Sequence, residues 1–231
     1  MLLFSLECSA TAASAAIYRD EKLLGEEFLN VPQTHSVTLL PMAKSLLEHT
    51  GISPAQIDYY AVSRGPGSFT GLRIGIAAIK GLAFPDDTPC IGVSTPEAIA
   101  YGLLGFEGTV IPMMDARCGQ VYTALFQGKD GRLTRLSEDE ALPLSELKEK
   151  LKSCTGPLWL CGDGAHLGLA AWGEELPVRM APAHLCCQRA SAVGLAAMQH
   201  LGEAVSPAAL VPCYLRPANA MTLAERQHKV E

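Results

Sequence analysis

No stretch of this chain approaches the ~18 consecutive apolar residues that a membrane-crossing helix needs. No surplus of positive charge marks a protein that grips nucleic acid by a broad basic face: 18 Lys and Arg stand against 24 Asp and Glu, a formal net charge of −6 over 231 residues. Low-complexity tracts are missing too. With 48% hydrophobic and 18% charged residues, the composition is that of a globular protein rather than a disordered one. A secretory leader is not expected. The opening MLLFSLECSATAASAA has an apolar start and small residues, but no Lys or Arg precedes the run and Glu7 ends it after six residues. A leader core needs ~7–15, so Leu2 to Leu6 reads as a buried strand.

The cysteines, Cys8, Cys90, Cys118, Cys154, Cys161, Cys186, Cys187 and Cys213, form no CxxC pair and read as reduced thiols. The tightest metal-like cluster is His184, Cys186 and Cys187. Adjacent cysteines seldom point the same way and no second pair completes a tetrahedron, so no metal site is expected.

What the chain does have is a repeated order of elements. LLFSLEC, SAAIYRD and EKLLGEEFLN read as consecutive strands joined by tight turns. Val37, Leu40, Ala43 and Leu47 recur at helical spacing, and Gly51 offers a C-terminal stop. IDYYAVSRG reads as a strand, GSFTGLRIGIAAIKGLAF as a loop entering a helix, and PCIGVS as another strand. TVIPMMDA, QVYTALFQ and RLTRLSEDEALP then restart the strands, followed by a helix at LSELKEKL, a strand at PLWLCG and a last helix from Ser191 to Leu201. This order points to a duplicated α/β unit on two mixed sheets, divided as residues 1–106 and 107–231.

SRGPGSFTGLRIG, from Ser63 to Gly75, is the most unusual stretch. It is not a P-loop, because Leu72 stands where the lysine belongs. It is not a dinucleotide fingerprint, because Gly65, Gly67 and Gly71 give GxGxxxG. Nor is it a nucleophile elbow on Ser68, since Pro66 and Thr70 occupy the glycine positions. Gly65 and Gly67 permit positive φ or close backbone approach, and Ser68 or Thr70 can cap the helix that follows. A helix start with bare amides suits an anion; a tight turn without ligand is the alternative. Along the helix, Gly71, Gly75, Ala78 and Leu82 make a stripe of small residues beside Leu72, Ile76, Ile79 and Ala83, with only Arg73 and Lys80 charged. A helix this apolar is covered nearly all round, by its own chain or by a partner. Glu7, Asp115 and Asp163 are carboxylates at strand ends, where α/β folds place ligands, or else capping residues. His35 reads as a polar residue at a helix start. No Ser-His-Asp or Cys-His set can be assigned.

Several segments together carry a resemblance. SRGPGSFTGLRIG, LECSATAASAAI (with Glu7 where Asp is usual), THSVTLLPM, IGVST, MDARCGQVY and VPCYLR follow in order the motifs of the TsaB (YeaZ-type) family of bacterial tRNA threonylcarbamoyladenosine biosynthesis proteins, over the whole chain. The resemblance implies an actin-like, sugar-kinase-like ATPase fold of two RNase H-like halves. It also implies a non-catalytic subunit supporting a TsaD-type enzyme, which moves threonylcarbamoyl from threonylcarbamoyl-AMP to adenosine beside the tRNA anticodon. A TsaE-type ATPase in the complex, self-association as a homodimer, only indirect tRNA contact and a cytoplasmic setting follow from it. The catalytic relative holds a metal with two histidines after the strand equivalent to IGVS; TPEAIAYG here has none. The pairing helices map onto Leu39, Met42 and Leu46, and onto Leu72, Gly75, Ile76, Ile79 and Ala83. The rival expectation is an ATP-binding phosphotransferase or ATPase using Glu7, Gly65, Gly67, Ser68 and Asp163, with ATP or ADP at an interface left open.

Overall fold

The computed structural model describes residues 1–216. Three strands open the chain, β1 (Leu2–Glu7), β2 (Ala13–Arg19) and β3 (Lys22–Leu29), each antiparallel to the next. The helix α1 (His35–Thr50) follows and stops at Gly51, whose φ of 66° lets its N–H turn back onto the carbonyls of Leu47 and Glu48. Then come β4 (Tyr59–Gly65), α2 (Phe69–Ala83), β5 (Cys90–Ser94) and α3 (Thr95–Tyr101). The strands lie in the order β3-β2-β1-β4-β5, with β4 parallel to both β1 and β5.

The second half repeats this plan. It comprises β6 (Gly108–Arg117), β7 (Gln120–Thr123), β8 (Phe126–Lys129), β9 (Arg132–Arg135), β10 (Glu140–Pro143), α4 (Leu144–Leu151), β11 (Leu158–Cys161), α5 (Ala165–Trp172) and β12 (Val178–Met180). The path β10-β7-β6-β11-β12 has the same senses, antiparallel on one side of β6 and parallel on the other. Two RNase H-like mixed sheets therefore stand in one chain, the actin-like architecture.

Several expectations need correction. QVYTALFQ is not one strand: it breaks after Thr123, so that β7 pairs with the end of β6 and β8 with its start. RLTRLSEDEALP likewise divides between β9, which closes a hairpin with β8, and β10. The final helix, α6 (Ala190–Ala197), is shorter than Ser191 to Leu201. Although numbered with the second range, it packs on the first sheet, where Val193, Ala196 and Ala197 join Leu3, Ala16, Tyr18, Ile91 and Val93.

Polar groups fix that crossing. The Glu26 carboxylate on β3 accepts from Arg189 Nη2 at 2.6 Å and Nε at 3.1 Å, and from the N–H and hydroxyl of Ser191 at 3.0 and 2.8 Å. It thus caps the first turn of α6 with charge of the favourable sign. The opposite face of the sheet carries α1 and α2, which bury Leu39, Met42, Leu46, Ile76 and Ile79 with Phe4, Leu6 and Ile17. Each such side chain contributes on the order of 1.5–3 kcal/mol of burial as an upper figure.

Candidate functional site

The glycine turn is built where β4 hands over to α2. Ser68 caps the helix, its Oγ accepting from Gly71 N at 3.2 Å. The Ser68 N–H is not open to solvent but donates to Ser9 O at 2.7 Å. A Cβ on Gly67 would lie 2.6 Å from Ser9 O, one on Gly75 2.7 Å from Cys8 Sγ, and one on Gly71 would overlap the Cys8 carbonyl. Gly65, at φ +123°, leaves room for the Cys213 carbonyl. The small-residue stripe thus receives the chain's own β1–β2 turn, and the turn before it receives the C-terminal segment.

Beneath that turn Glu7 is fully buried. Ser9 N donates to its Oε1 at 2.5 Å and the Ser63 hydroxyl to its other oxygen. Burial pushes the Glu7 carboxyl up, and the Ser63 and Ser9 hydrogen bonds and His35 offset part of this. His35 points Nε2 at Ala10 O, 2.7 Å away, so Glu7, Ser63 and His35 do not assemble a relay to a nucleophile.

Between the halves lies a cleft of about 410 Å³ lined by Ser9, Gly67, Ser68, Asp115, Arg117 and Asp163, among others. It brings together Gly67, Ser68 and Asp163 of the expected nucleotide set; Gly65 and Glu7 do not line it. Asp163 is pushed up by burial, offset by Gln188 Nε2 at 2.7 Å, and raised further by the neighbouring Asp115. Arg117 closes back on Asp115, backbone N at 2.8 Å and guanidinium at 3.2 Å.

The actin-like fold implies a nucleotide here, and two carboxylates of the lining, Asp115 and Asp163, would oppose its phosphates. Of the amides in the lining, those of Ser9, Ser68 and Arg117 are engaged within the chain, while the Ser9 hydroxyl stands buried without a partner among the described residues. Among the described residues no group of three or more His, Cys, Asp and Glu is placed to hold a metal ion.

The VPCYLR segment straps this region. Tyr214 stacks on Phe69 at 4.9 Å between ring centroids, and Arg73 lies 4.0 Å over Phe69 while donating to Tyr214 OH at 3.1 Å. Arg216 reaches Ala116 O in the second half at 2.8 Å. Sequence reading missed this pairing; Phe69 and Arg73, one helical turn apart, were its local signal.

The expected pairing residues are placed differently from expectation. Leu39, Met42, Leu46, Leu72, Gly75, Ile76, Ile79 and Ala83 are all buried within this chain. Both helices were apolar on more than one face, and the sheet took the face that the resemblance had given to a partner. The exposed edge consists instead of Val37, Leu40, Pro41 and Lys44 on α1, Ala77 and Gly81 on α2, and Phe84 just beyond it.

Comparison with known proteins agrees with this architecture. A family model described as TsaD, tRNA N6-adenosine threonylcarbamoyltransferase, matches residues 29–154. The tRNA threonylcarbamoyladenosine biosynthesis protein TsaB of Bacillus subtilis is 31% identical, covering 95% of this chain and 96% of that protein. TsaB of Escherichia coli is 34% identical over 71% of this chain and 72% of its own. The solved structure of YeaZ from Pseudomonas aeruginosa superposes with a TM-score of 0.77 at 27% identity, covering 93% of this chain and 99% of that one. No helix among the described residues is long and apolar enough to cross a membrane. The chain belongs to the TsaB (YeaZ) family of tRNA threonylcarbamoyladenosine biosynthesis proteins.

Proposed function

We propose that this chain is a non-catalytic subunit that pairs with a TsaD-type enzyme. In that role it supports transfer of threonylcarbamoyl from threonylcarbamoyl-AMP to N6 of the adenosine beside the tRNA anticodon. The observation that carries the reading is the apolar edge of the first half, where Val37, Leu40 and Phe84 are 69%, 51% and 77% exposed. It continues into a groove lined by Leu40, Pro41, Ala43, Leu47, Ile52 and Leu82. A contiguous apolar surface of this kind fits a protein contact.

In this reading the contact moves from the buried helix faces to that edge. The same edge serves self-association when the partner is missing, and a TsaE-type ATPase joins the assembled complex in the cytoplasm. Other subunits grip the tRNA, in keeping with the net charge of −6. ATP or ADP is assigned to surfaces of the assembled complex, because Asp115 and Asp163 stand in the cleft where phosphates would lie. The absence of histidine from TPEAIAYG, where the catalytic relative keeps its metal-holding pair, supports the non-catalytic role.

The test is a reconstituted tRNA modification assay with this chain, the TsaD-type partner, or both, each with the partner ATPase. Product only from the combination is expected. Leu40→Asp should weaken pairing by roughly tenfold or more with an unchanged circular dichroism spectrum. Full-rate product from the partner alone would overturn the reading. ATP hydrolysis by this chain alone, lost on Glu7→Ala, would put the nucleotide enzyme in its place.

A further inference from the structure

Away from the cleft and the apolar edge, His200 stands where three segments meet. Its Nε2 lies 2.9 Å from Glu97 Oε1, on the first turn of α3, and its Nδ1 lies 2.9 Å from Glu203 Oε1. A neutral imidazole has one N–H and can donate to only one carboxylate, whereas an imidazolium donates to both. The arrangement is complete only with the ring protonated.

Glu97 is shared. Its other oxygen accepts from Arg135 Nη2 on β9 at 3.1 Å. Arg135 Nη1 in turn holds Asp139 at 2.8 Å, and the Asp139 carboxylate also takes the Ser94 hydroxyl at 2.9 Å. Glu138 and Arg64 line the same small pocket of about 150 Å³, and Tyr101 follows one turn after Glu97 on α3. First half, second half and the segment returning after α6 are therefore joined through one carboxylate. The Glu203 side chain is 75% exposed and that of Glu97 13%, so the two arms of His200 differ in how easily they let go.

We propose that His200 is a proton-operated latch between the segment after α6 and α3, at the point where α3 also meets β9 of the second half. With the ring protonated it donates to both Glu97 and Glu203, and its charge ties the segment after α6 to α3. On loss of the proton the Glu203 arm, a contact within the same segment, releases, and the ring charge that held the Glu97 carboxylate is gone, so α3 loosens from that segment.

Burial works against the charged ring, but the hydrogen bonds and charges of Glu97 and Glu203 outweigh it, so the His200 pKa lies above the ordinary value. A folded-state pKa raised in this way gives a contribution fully present below about pH 6.5. It is lost as pH climbs through the folded value.

The test follows the His200 ring protons of the full chain by NMR across pH, together with amide exchange of α3 corrected for intrinsic rate. His200 is expected to titrate above about 6.5, with α3 protection falling roughly threefold or more over the same window. In His200→Gln, which keeps one hydrogen bond and no titration, that step disappears. In Glu203→Gln the titration moves down. A His200 pKa at or below the ordinary value, or a step that survives in His200→Gln, overturns the proposal.

Discussion

In the first half the end of β1 closes over the glycine turn between β4 and α2; in the second the end of β6 closes over the glycine turn between β11 and α5. The geometry recurs closely. A Cβ on Gly67 would come within 2.6 Å of Ser9 O, and one on Gly164 within 2.8 Å of Asp115 N. Gly162, at φ +90°, leaves room for the Met113 carbonyl, as Gly71 does for that of Cys8. What differs is the carboxylate and the cover. Glu7 is sealed beneath its turn by Ser63 and Ser9, while Asp115 stays partly open and pairs with Arg117. The first sheet receives the long α1 and α2 on one face and α6 on the other; the second receives the eight-residue helices α4 and α5 on one face and α3, through Ile99 and Ala100, on the other. One duplicated scaffold has become a closed platform with an apolar rim in its first copy, and an open cleft wall in its second.

The sharpest way to break that comparison is to add a single methyl group to the platform. Gly71→Ala places a Cβ against the Cys8 carbonyl, a backbone atom that cannot swing aside. A loss of about 3 kcal/mol or more is expected by denaturant unfolding. The same logic applies to Gly75→Leu, whose side chain would meet Cys8 Sγ and Val62. Lost pairing in that variant would report a damaged fold rather than a mapped surface. Gly71→Ala unfolding at wild-type denaturant concentrations would refute the close packing of the β1–β2 turn on α2.

Next in size is the clamp that makes α6 a lid on the first sheet. Glu26→Ala leaves Arg189 unpaired, its guanidinium over the Phe28 ring, and leaves the Ser191 amide without its acceptor. A loss of about 2–3 kcal/mol is expected from a half-buried pair and a helix cap together. Hydrogen exchange should rise in α6 and the first sheet before it rises in the second. Equal exchange in both halves would mean that α6 is not a separate cover.

These features were legible in the sequence to different degrees. The order strand, strand, strand, helix, strand, helix, strand could be read because periods of two and of 3.6 residues alternate cleanly up to Ser94. α3 escaped because seven residues carry no period; its signal was Ser94, whose hydroxyl accepts from Glu97 N at 3.2 Å. Glycine spacing announced a close approach at residues 65–75, yet the approaching atoms belong to Cys8, Ser9 and Cys213, far away in sequence. The contact faces of α1 and α2 were not legible either. Leu39 and Leu40 are equally apolar, and only the sheet's position decides that the first is buried and the second exposed.

A smaller effect belongs to the sealed carboxylate. The Glu7 pKa is raised chiefly by burial, so the folded chain holds a proton that the unfolded chain releases. Stability from this source is complete below about pH 4.5 and falls as pH rises through the folded value. Glu7→Gln keeps an acceptor for Ser9 N and offers a donor to Ser63, without the charge. Its melting temperature should exceed that of the wild type by a few degrees near pH 8, with the gap closing toward pH 4.5. A gap that widens on acidification would show that Glu7 is held as the anion.

The smallest effect is a gain, on the same helix as the largest loss. Gly81 lies near the end of α2 on the exposed edge, with nothing within 4 Å of an added Cβ. Gly81→Ala therefore lowers the entropy of the unfolded chain at no steric cost, and about 0.5–1 kcal/mol of added stability is expected. The variant also probes the proposed contact, because a partner helix seated closely over Gly81 would meet the new methyl group. Added stability with unchanged pairing would place the contact toward Val37 and Leu40. Added stability with weakened pairing would extend it along α2 as far as Phe84. A loss of stability would mean that α2 is covered on this side by the chain itself, and the contrast between a sealed face and an open edge would fail.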